Sequence, residues 1–412
     1  MATIGNFPYP KEWVTEDDET IADSIRDWAD KEVIPNRQKF DEDYGNELVG
    51  PAMEKLFVEI GLQKMVWPEK YGGGGFNTPE VATTIVRVLE EIGRADPGIG
   101  FIFSNTFSAV TPIVMEPHVN EELLEELAPI FCDTKEAKVC SLILPTMGDL
   151  EGRNEDDFYG LTAQATAKIE GDEVVINGYN MRPINSGGTA NLFGVVCDTK
   201  DGLLYTFIPA DTKGVKRGEN FLKTGLNADK NANVSFDNVR VPKKYVAWQG
   251  DAKYLKELLV WNALCDSALC VGSMMDVYEI AKRWGTDRVI RYDQVLKENP
   301  LIAAVLAEVA QNIVSSRILV HNLARILAKS ETYGERGGDE IFATSRAIAI
   351  TVSNSAVYAI NRTIELMASE GYAREGDVEK HWRDVKTIKN SMGGEVPMQM
   401  DVARWFYECE TL

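Results

Sequence analysis

The segment that decides the fold reads LLVWNALCDSALCVG, residues 258–272. If this stretch is helical, its own apolar residues lie on every side of the helix, which is typical of a helix buried among other helices. It lies within a helical pattern over 255–283, and further long helical patterns follow at 300–330, 339–369 and 378–389. Helices of this length predict a helix bundle in the last part of the chain.

The chain before the bundle has two different textures. Residues 1–132 show helical periodicity divided by Pro and Gly turns, including a turn at 95–98, and Thr15 with Asp18 is predicted to cap the first helix. From residue 133 to 248 the segments become short, alternating or β-branched, with Gly, Asn and Asp between them. The sequence therefore predicts an α+β protein.

The predicted units are an N-terminal helical domain over 1–132, a middle antiparallel β domain over 133–248 and a C-terminal helical bundle over 249–412. Within the middle unit, Asn177-Gly178 and Asp201-Gly202 are dipeptides typical of β-hairpin turns.

Composition excludes several classes of function. The 412 residues carry a formal net charge of −21, and so acidic a surface repels nucleic-acid phosphates and anionic lipid. Six cysteines without a C-x-x-C pair and three scattered histidines argue against a metal site or a disulfide framework. With no visible leader, and with Asp266 interrupting the most apolar stretch, we expect a cytoplasmic protein without a membrane span.

Asp266 is the sharpest chemical feature. A carboxyl inside such an apolar helix is expected to be buried or to face a pocket, and burial raises its pKa toward the range of a general base or acid. Asn262 lies one turn earlier on the same helical face. The alternative is a core carboxyl satisfied by a neighbouring hydrogen bond or ion pair.

A second feature is the helical pattern of residues 383–389, which runs into Gly393-Gly394. Glycines at this point free backbone N–H groups for a ligand oxygen. An ordinary helix C-cap explains the same local sequence equally well.

Several motifs in order resemble the acyl-CoA dehydrogenase superfamily over nearly the whole chain. They are Val66-Trp-Pro-Glu-Lys-Tyr-Gly-Gly73, Lys223-Thr-Gly-Leu-Asn-Ala228, Val234-Ser-Phe-Asp-Asn-Val-Arg-Val-Pro242, Gly371-Tyr-Ala-Arg-Glu375 and Arg383-Asp-Val-Lys386. The resemblance implies a helical domain, a β domain and a C-terminal four-helix bundle. It also implies FAD as cofactor, an acyl-CoA substrate, an electron-transferring flavoprotein as acceptor, and a homo-oligomer, expected to be a tetramer.

The resemblance also reveals a departure at the catalytic position. The residue that aligns with the family's catalytic glutamate is Met392, which cannot take a proton, although its backbone N–H can hold the thioester oxygen. A base position that some relatives use on the first bundle helix falls on Asn262. Asp266, one turn on, is therefore the candidate relocated base, with Glu395 as the fallback. Predicted substrate contacts are Asn105, Asn262 and Gly393.

The flavin motifs are altered as well. By alignment with the family, the cofactor-binding positions are Leu142, Ile143, Leu144, Arg182, Ile184, Arg288, Ala368 and Ser369. Arg182 replaces a tryptophan that covers the flavin, so it places a permanent cation near the cofactor or the substrate. The alternative is that Arg182 turns outward to meet a surface carboxylate.

Three functions remain open from the sequence. The preferred one is an FAD-dependent acyl-CoA dehydrogenase acting on the CH–CH group of an unusual acyl thioester with a displaced acid/base. A non-oxidising lyase or decarboxylase of an acyl-CoA on the same fold is the second. The third is a catalytically silent subunit of a heteromeric dehydrogenase.

Overall fold

The computed structural model describes residues 7–115, 119–147, 161–250, 252–289, 293–391 and 394–407. Helices form the first and last parts of the chain and strands form the middle. Short 3₁₀ and π segments connect the first helices. The first six helices are α1 (Glu16–Trp28), α2 (Arg37–Asp41), α3 (Val49–Glu54), α4 (Val81–Ala95), α5 (Pro97–Val114) and α6 (Glu121–Cys132).

The sequence prediction for these helices is partly right. Thr15 caps α1 in a reciprocal capping box with Asp18, as predicted. The turn predicted at 95–98 is instead the start of α5, where Asp96 accepts hydrogen bonds from the N–H groups of Gly98 and Ile99. Helix α5 escaped prediction because it is apolar and buried around almost its whole circumference, which leaves no amphipathic period to read.

The middle strands form one eight-stranded sheet and a separate two-stranded ribbon. The main path runs β10-β7-β6-β4-β5-β9-β8, β1 pairs with β6, and β2 pairs with β3 in the ribbon. The strands are β1 (Cys140–Ile143), β2 (Thr146–Met147), β3 (Leu161–Thr162), β4 (Ala165–Glu170), β5 (Glu173–Met181), β6 (Leu192–Thr199), β7 (Gly202–Pro209), β8 (Val215–Asn220), β9 (Ala232–Pro242) and β10 (Val246–Gln249).

Two expectations for this sheet are wrong. The sheet is not wholly antiparallel, because β6 pairs in parallel with both β1 and β4. Asn177-Gly178 is not a hairpin turn but lies inside β5, where the register against β9 shifts between Ile176 and Gly178. Asp201-Gly202 does lie at the tight turn between β6 and β7, as predicted.

The C-terminal part contains the longest helices. They are α7 (Ala252–Asp287), α8 (Pro300–Ala328), α9 (Ser330–Tyr333), α10 (Asp339–Met367), α11 (Val378–Lys389) and α12 (Glu395–Phe406). Helix α7 runs through the centre and packs against α4, α5, α8, α10 and α11. Helices α4 and α7 approach so closely that a Cβ atom on Gly272 would lie 2.1 Å from the backbone oxygen of Glu90.

Three helices, α5, α7 and α8, are long and apolar enough to cross a membrane by length and composition alone. The most apolar stretch, which Asp266 was expected to make too polar for a membrane span, lies in α7 and meets that criterion. The fold buries 94% of the apolar window of α5 and 100% of that of α7, but only 28% of that of α8. For α5 and α7, the apolar composition is accounted for by packing within the protein.

A buried ionic cluster joins the helical and strand parts at α11. The Lys380 ammonium lies 2.8 Å from a carboxylate oxygen of Asp96 and 2.6 Å from one of Asp384, and all three side chains are almost fully buried. Asp384 also accepts a 2.6 Å hydrogen bond from the backbone N–H of Leu226, in the loop between β8 and β9. The cluster therefore fixes α11 against α5 and the β domain.

Replacing the cation of this cluster is expected to destabilise the protein strongly. Lys380→Met leaves the carboxylates of Asp96 and Asp384 buried without their partner, which costs about 3–5 kcal/mol of unfolding free energy. Urea unfolding measures the loss. The matched control is Lys31→Met, which breaks the exposed ion pair with Asp27 and should cost less than about 1 kcal/mol. Equal effects of the two substitutions would contradict this role of the cluster.

Candidate active site

Asp266 lies on the buried face of α7, where only 8% of the residue is exposed. It borders a cavity of about 30 Å³ enclosed between α7, α10, α11 and α12. The polar residues that line the cavity are Asn262, Asp266 and Ser267 of α7, Arg346 and Ser353 of α10, and Lys389 and Ser391 at the end of α11. The space is large enough for about one or two water molecules or a small part of a ligand.

The environment of Asp266 shifts its protonation. Burial raises the pKa of this carboxyl to about 8, against opposing contributions from the Arg346 guanidinium and the Ser104 hydroxyl. One carboxyl oxygen, Oδ1, has no hydrogen-bond partner. Within the described residues no direct ion pair neutralises Asp266, and the Ser104 hydroxyl is the polar side chain that contacts its carboxyl. Such a group can exchange a proton near neutral pH.

Two predicted substrate residues lie beside Asp266. Asn262 donates a 3.2 Å hydrogen bond to the side-chain oxygen of Asn105, and Asn105 donates one of 2.8 Å to the backbone oxygen of Phe101. Both asparagines are fully buried, and Asn262 Oδ1 is left without a partner. The contact between α5 and α7 thus brings Asn105, Asn262 and Asp266 to one place, while their roles stay predictions.

A larger cleft opens on the other side of Ser391. It has a volume of about 550 Å³ and lies where α5, the β domain and the end of α11 meet. The lining includes Phe101 of α5, Thr146, Arg182, Ile184, Phe221, Leu226 and Asp229 of the β domain, and Thr387, Asn390 and Ser391. Because Ser391 borders both spaces, a ligand in the cleft lies next to the cavity of Asp266.

Arg182 lines this cleft. Its guanidinium carbon lies 4.0 Å from the centre of the Phe221 ring, and its backbone exchanges two hydrogen bonds with the Gln164 side chain. No ion pair of Arg182 occurs in the part of the chain that the structure describes. The cation therefore faces the space that a ligand would occupy.

The strand β1 does not present its side chains to the cleft. Leu142 uses its N–H for Asn185 and its C=O for Ile184, and Ile143 is buried in the core of the β domain. Leu144 is likewise buried. Thr146, a few residues further on, lines the cleft instead, and sequence reasoning missed both Thr146 and Phe221. The aromatic residue ahead of the Lys223 motif was the available signal for Phe221.

The other predicted positions are elsewhere. Arg288 forms a 2.6 Å ion pair with Glu370, next to Ala368 and Ser369 beyond the end of α10, and none of these lines the cleft. Met392 and Gly393 lie outside the described residues. Glu395, the fallback base, is paired with Lys389 at 3.0 Å, and hydrogen bonding to that lysine lowers the pKa of its carboxyl, which makes it a weak base.

Comparison with known families identifies this architecture. The model "Acyl-CoA dehydrogenase, N-terminal domain" matches residues 15–133, and "Acyl-CoA dehydrogenase, C-terminal domain" matches residues 252–406. The chain belongs to the acyl-CoA dehydrogenase family. The expected order of helical domain, β domain and helical bundle is confirmed by solved structures of this fold.

Similar proteins match this member of the family over nine-tenths or more of its length. Cyclohex-1-ene-1-carbonyl-CoA dehydrogenase of Geobacter metallireducens is 24% identical over 383 residues, which cover 90% of this chain and 93% of that relative. Butyryl-CoA dehydrogenase of Megasphaera elsdenii has a TM-score of 0.78 at 19% identity, covering 96% and 99% of the two chains. A glutaryl-CoA dehydrogenase from Mycobacterium smegmatis in complex with FADH2 has a TM-score of 0.77 at 19% identity, covering 98% and 97%.

The raised pKa of Asp266 predicts a pH-dependent cost in stability. The carboxyl has a pKa of about 8 when folded and ~3.9 when unfolded, so the folded chain binds more protons between these values. The stability associated with Asp266 is complete below the unfolded pKa and is lost as the pH rises through 8. We expect Asp266→Asn to gain stability relative to wild type by up to about 1.4 kcal/mol per pH unit.

Urea unfolding of both proteins from pH 5 to pH 9 measures this difference, which should level off above pH 8. Asp27→Asn, at an exposed position of α1, is the matched control and should show no such trend. A constant difference between wild type and Asp266→Asn across this range would show that the carboxyl titrates normally.

Proposed function

We propose that this protein is an FAD-dependent dehydrogenase that oxidises the CH–CH group of an acyl-CoA thioester, with Asp266 as its acid/base group. The observation that carries the proposal is the buried Asp266 carboxyl, with a pKa of about 8, beside a cavity that shares Ser391 with the large cleft. Family membership supports the acyl-CoA substrate, and the particular geometry supports the relocated base.

The residues of the cleft fit a flavin ring. A planar ring system with polar edges needs apolar surfaces for its faces and hydrogen-bonding groups at its rim. Phe101, Ile184 and Leu226 supply apolar surface, while Thr146 and Arg182 supply polar groups. We assign these residues to holding FAD, which supplies a hydride acceptor when bound. A family relative binds FADH2.

The protein's own residues would carry the proton chemistry. Ionised Asp266 takes a proton from a carbon of the acyl chain while a hydride leaves the neighbouring carbon, and a C=C bond forms between them. Asn105 orients Asn262 through the 3.2 Å hydrogen bond, which keeps a polar group next to Asp266 for positioning the substrate. The thioester oxygen would be held at the end of α11, where the backbone N–H of Met392 and contact with Gly393 remain predictions.

We also propose a homo-oligomer that transfers electrons to an electron-transferring flavoprotein or a similar acceptor in the cytoplasm. Helix α8 supports the oligomer, because apolar residues such as Leu301 and Ile318 are exposed on it. Arg288, Ala368 and Ser369 do not line this subunit's cleft, so their predicted cofactor contact requires the cofactor of a neighbouring subunit. A tetramer is the assembly that the family resemblance favours.

One observation keeps the non-oxidising alternative as a second candidate. The Arg182 guanidinium in the cleft has no carboxylate partner among the described residues, and such a cation can hold an acidic group of a substrate. A lyase or decarboxylase of a carboxylated acyl-CoA would use it in that way. Bleaching of the flavin absorbance on addition of acyl-CoA favours the dehydrogenase, whereas product formation without bleaching favours the lyase.

The purified chain is expected to bind about one FAD per subunit. The cleft retains a volume of about 550 Å³ with apolar surface and polar groups suited to the ring, although the β1 side chains offer no contact. Visible absorption, with flavin quantified after denaturation, measures the stoichiometry. A chain that stays colourless after reconstitution with FAD contradicts the proposal and points to the silent subunit of a heteromer.

Asp266→Asn is expected to lower turnover by about 10²–10⁴-fold, because the amide cannot accept the proton. For the wild type, kcat/KM should rise with pH and level off near 8, where the carboxyl is ionised. Steady-state kinetics with a panel of acyl-CoA substrates tests both statements. Flavin content must be unchanged in the variant, and normal turnover with full flavin would exclude Asp266 as the base.

A further inference from the structure

We propose that Arg346 of α10 and Asp401 of α12 are positioning residues that together set how readily Asp266 ionises. In this arrangement Arg346 favours the carboxylate form of Asp266, and Asp401 limits that effect by sharing the Arg346 charge. The catalytic meaning of the arrangement rests on the proposed function. The electrostatic arrangement itself does not depend on it, and neither does its test.

The geometry places Arg346 between the other two groups. Arg346 is 5% exposed and lines the same cavity as Asp266. On its other side, its Nε atom lies 3.3 Å from a carboxylate oxygen of Asp401. Nε has no hydrogen bond of good geometry, so Asp401 compensates the guanidinium mainly by its charge.

Asp401 contacts a second guanidinium group besides that of Arg346. It also lies 3.4 Å from the guanidinium of Arg404, one turn further along α12. One carboxylate therefore faces two guanidinium groups. In this buried, weakly screened setting, the Arg346 charge also acts on Asp266, which lines the same cavity.

The other groups around Asp266 contribute less charge. Helix α5 supplies the neutral Ser104 hydroxyl, and within α7 burial raises the thiol pKa of both Cys265 and Cys270, so these stay neutral. Helix α11 supplies Lys389, whose ammonium is paired with Glu395 at 3.0 Å. Among the described residues that face Asp266, Arg346 therefore carries the positive charge that nearby carboxylates neutralise least.

The direction of the known shifts agrees with this arrangement. Arg346 lowers the pKa of Asp266 against the larger effect of burial. Asp401 and Asp266 both act to keep Arg346 protonated against its own burial. Helix α12 thus belongs to the site, since it contributes Asp401 to the electrostatics and Met398 to the cavity wall.

The two partners predict shifts of opposite sign, which a purely structural role would not produce. Arg346→Met removes the cation and should raise the pH at which Asp266 ionises by about one unit or more. Asp401→Asn releases the full Arg346 charge toward Asp266 and should lower that pH. Arg346→Lys keeps a positive charge at this position, so the pH at which Asp266 ionises should stay close to the wild-type value.

The experiment compares each protein with its own Asp266→Asn counterpart by urea unfolding across pH 5–10. The pH at which the stability difference levels off reports the ionisation of Asp266 in the folded chain. Arg362→Met is the matched control, because Arg362 lies on the same helix but pairs with Glu308 and Glu365. It should leave the levelling pH unchanged.

Opposite displacements for Arg346→Met and Asp401→Asn support the proposal. Displacements of the same sign, or none, overturn it. If Arg346→Met does not fold, Asp401→Asn and Arg346→Lys test the proposal instead. The proposal is rejected if Asp401→Asn does not lower the pH at which the stability difference levels off. The readout needs no turnover, so a protein that shows these displacements but oxidises no acyl-CoA would refute the proposed function and leave this inference standing.

Discussion

The complete burial of the central apolar segment of α7 is the constraint on which the rest of the structure depends. This helix can be so apolar only because α4, α5, α8, α10 and α11 surround it. Its contact with α4 is close enough that a Cβ atom at Gly272 would collide with the backbone oxygen of Glu90. Packing of this kind excludes water from the helix surface. A carboxyl on α7 therefore loses its hydration, and Asp266 is left with a pKa near the physiological range.

Burial alone would not make a site, because a ligand must also reach the carboxyl. The two spaces adjoin at the end of α11, since Ser391 borders both the cavity of Asp266 and the cleft of the β domain. The position of α11 is fixed in turn by Lys380, which holds Asp96 at the start of α5 and Asp384 on α11 itself. Because Asp384 also accepts the hydrogen bond from the N–H of Leu226, which lines the cleft, the ionic cluster helps to hold the cleft in place.

Helices with a readable hydrophobic period or a capping box were predicted from the sequence, whereas a helix buried on all sides was missed. Helix α1 was predicted from its capping box, and α7 from a long apolar pattern. Helix α5 was missed because a helix buried on all sides has no polar face to give a period. The sequence Asn177-Gly178 was interpreted as a hairpin turn but forms a β-bulge. An Asn-Gly dipeptide is compatible with either structure, and only the pairing with β9 distinguishes them.

For the site, the sequence indicated Asp266 and Asn262 because a polar residue in an apolar helix is conspicuous. It gave no indication of Arg346 or Asp401, because only the tertiary fold places them near Asp266. The positions 142–144 were assigned by alignment, yet the backbone N–H and C=O of Leu142 are used by Asn185 and Ile184. Family membership thus fixes the architecture. The chemistry has to be argued from which polar atoms that architecture leaves buried without a partner, and the Oδ1 atom of Asp266 is one of them.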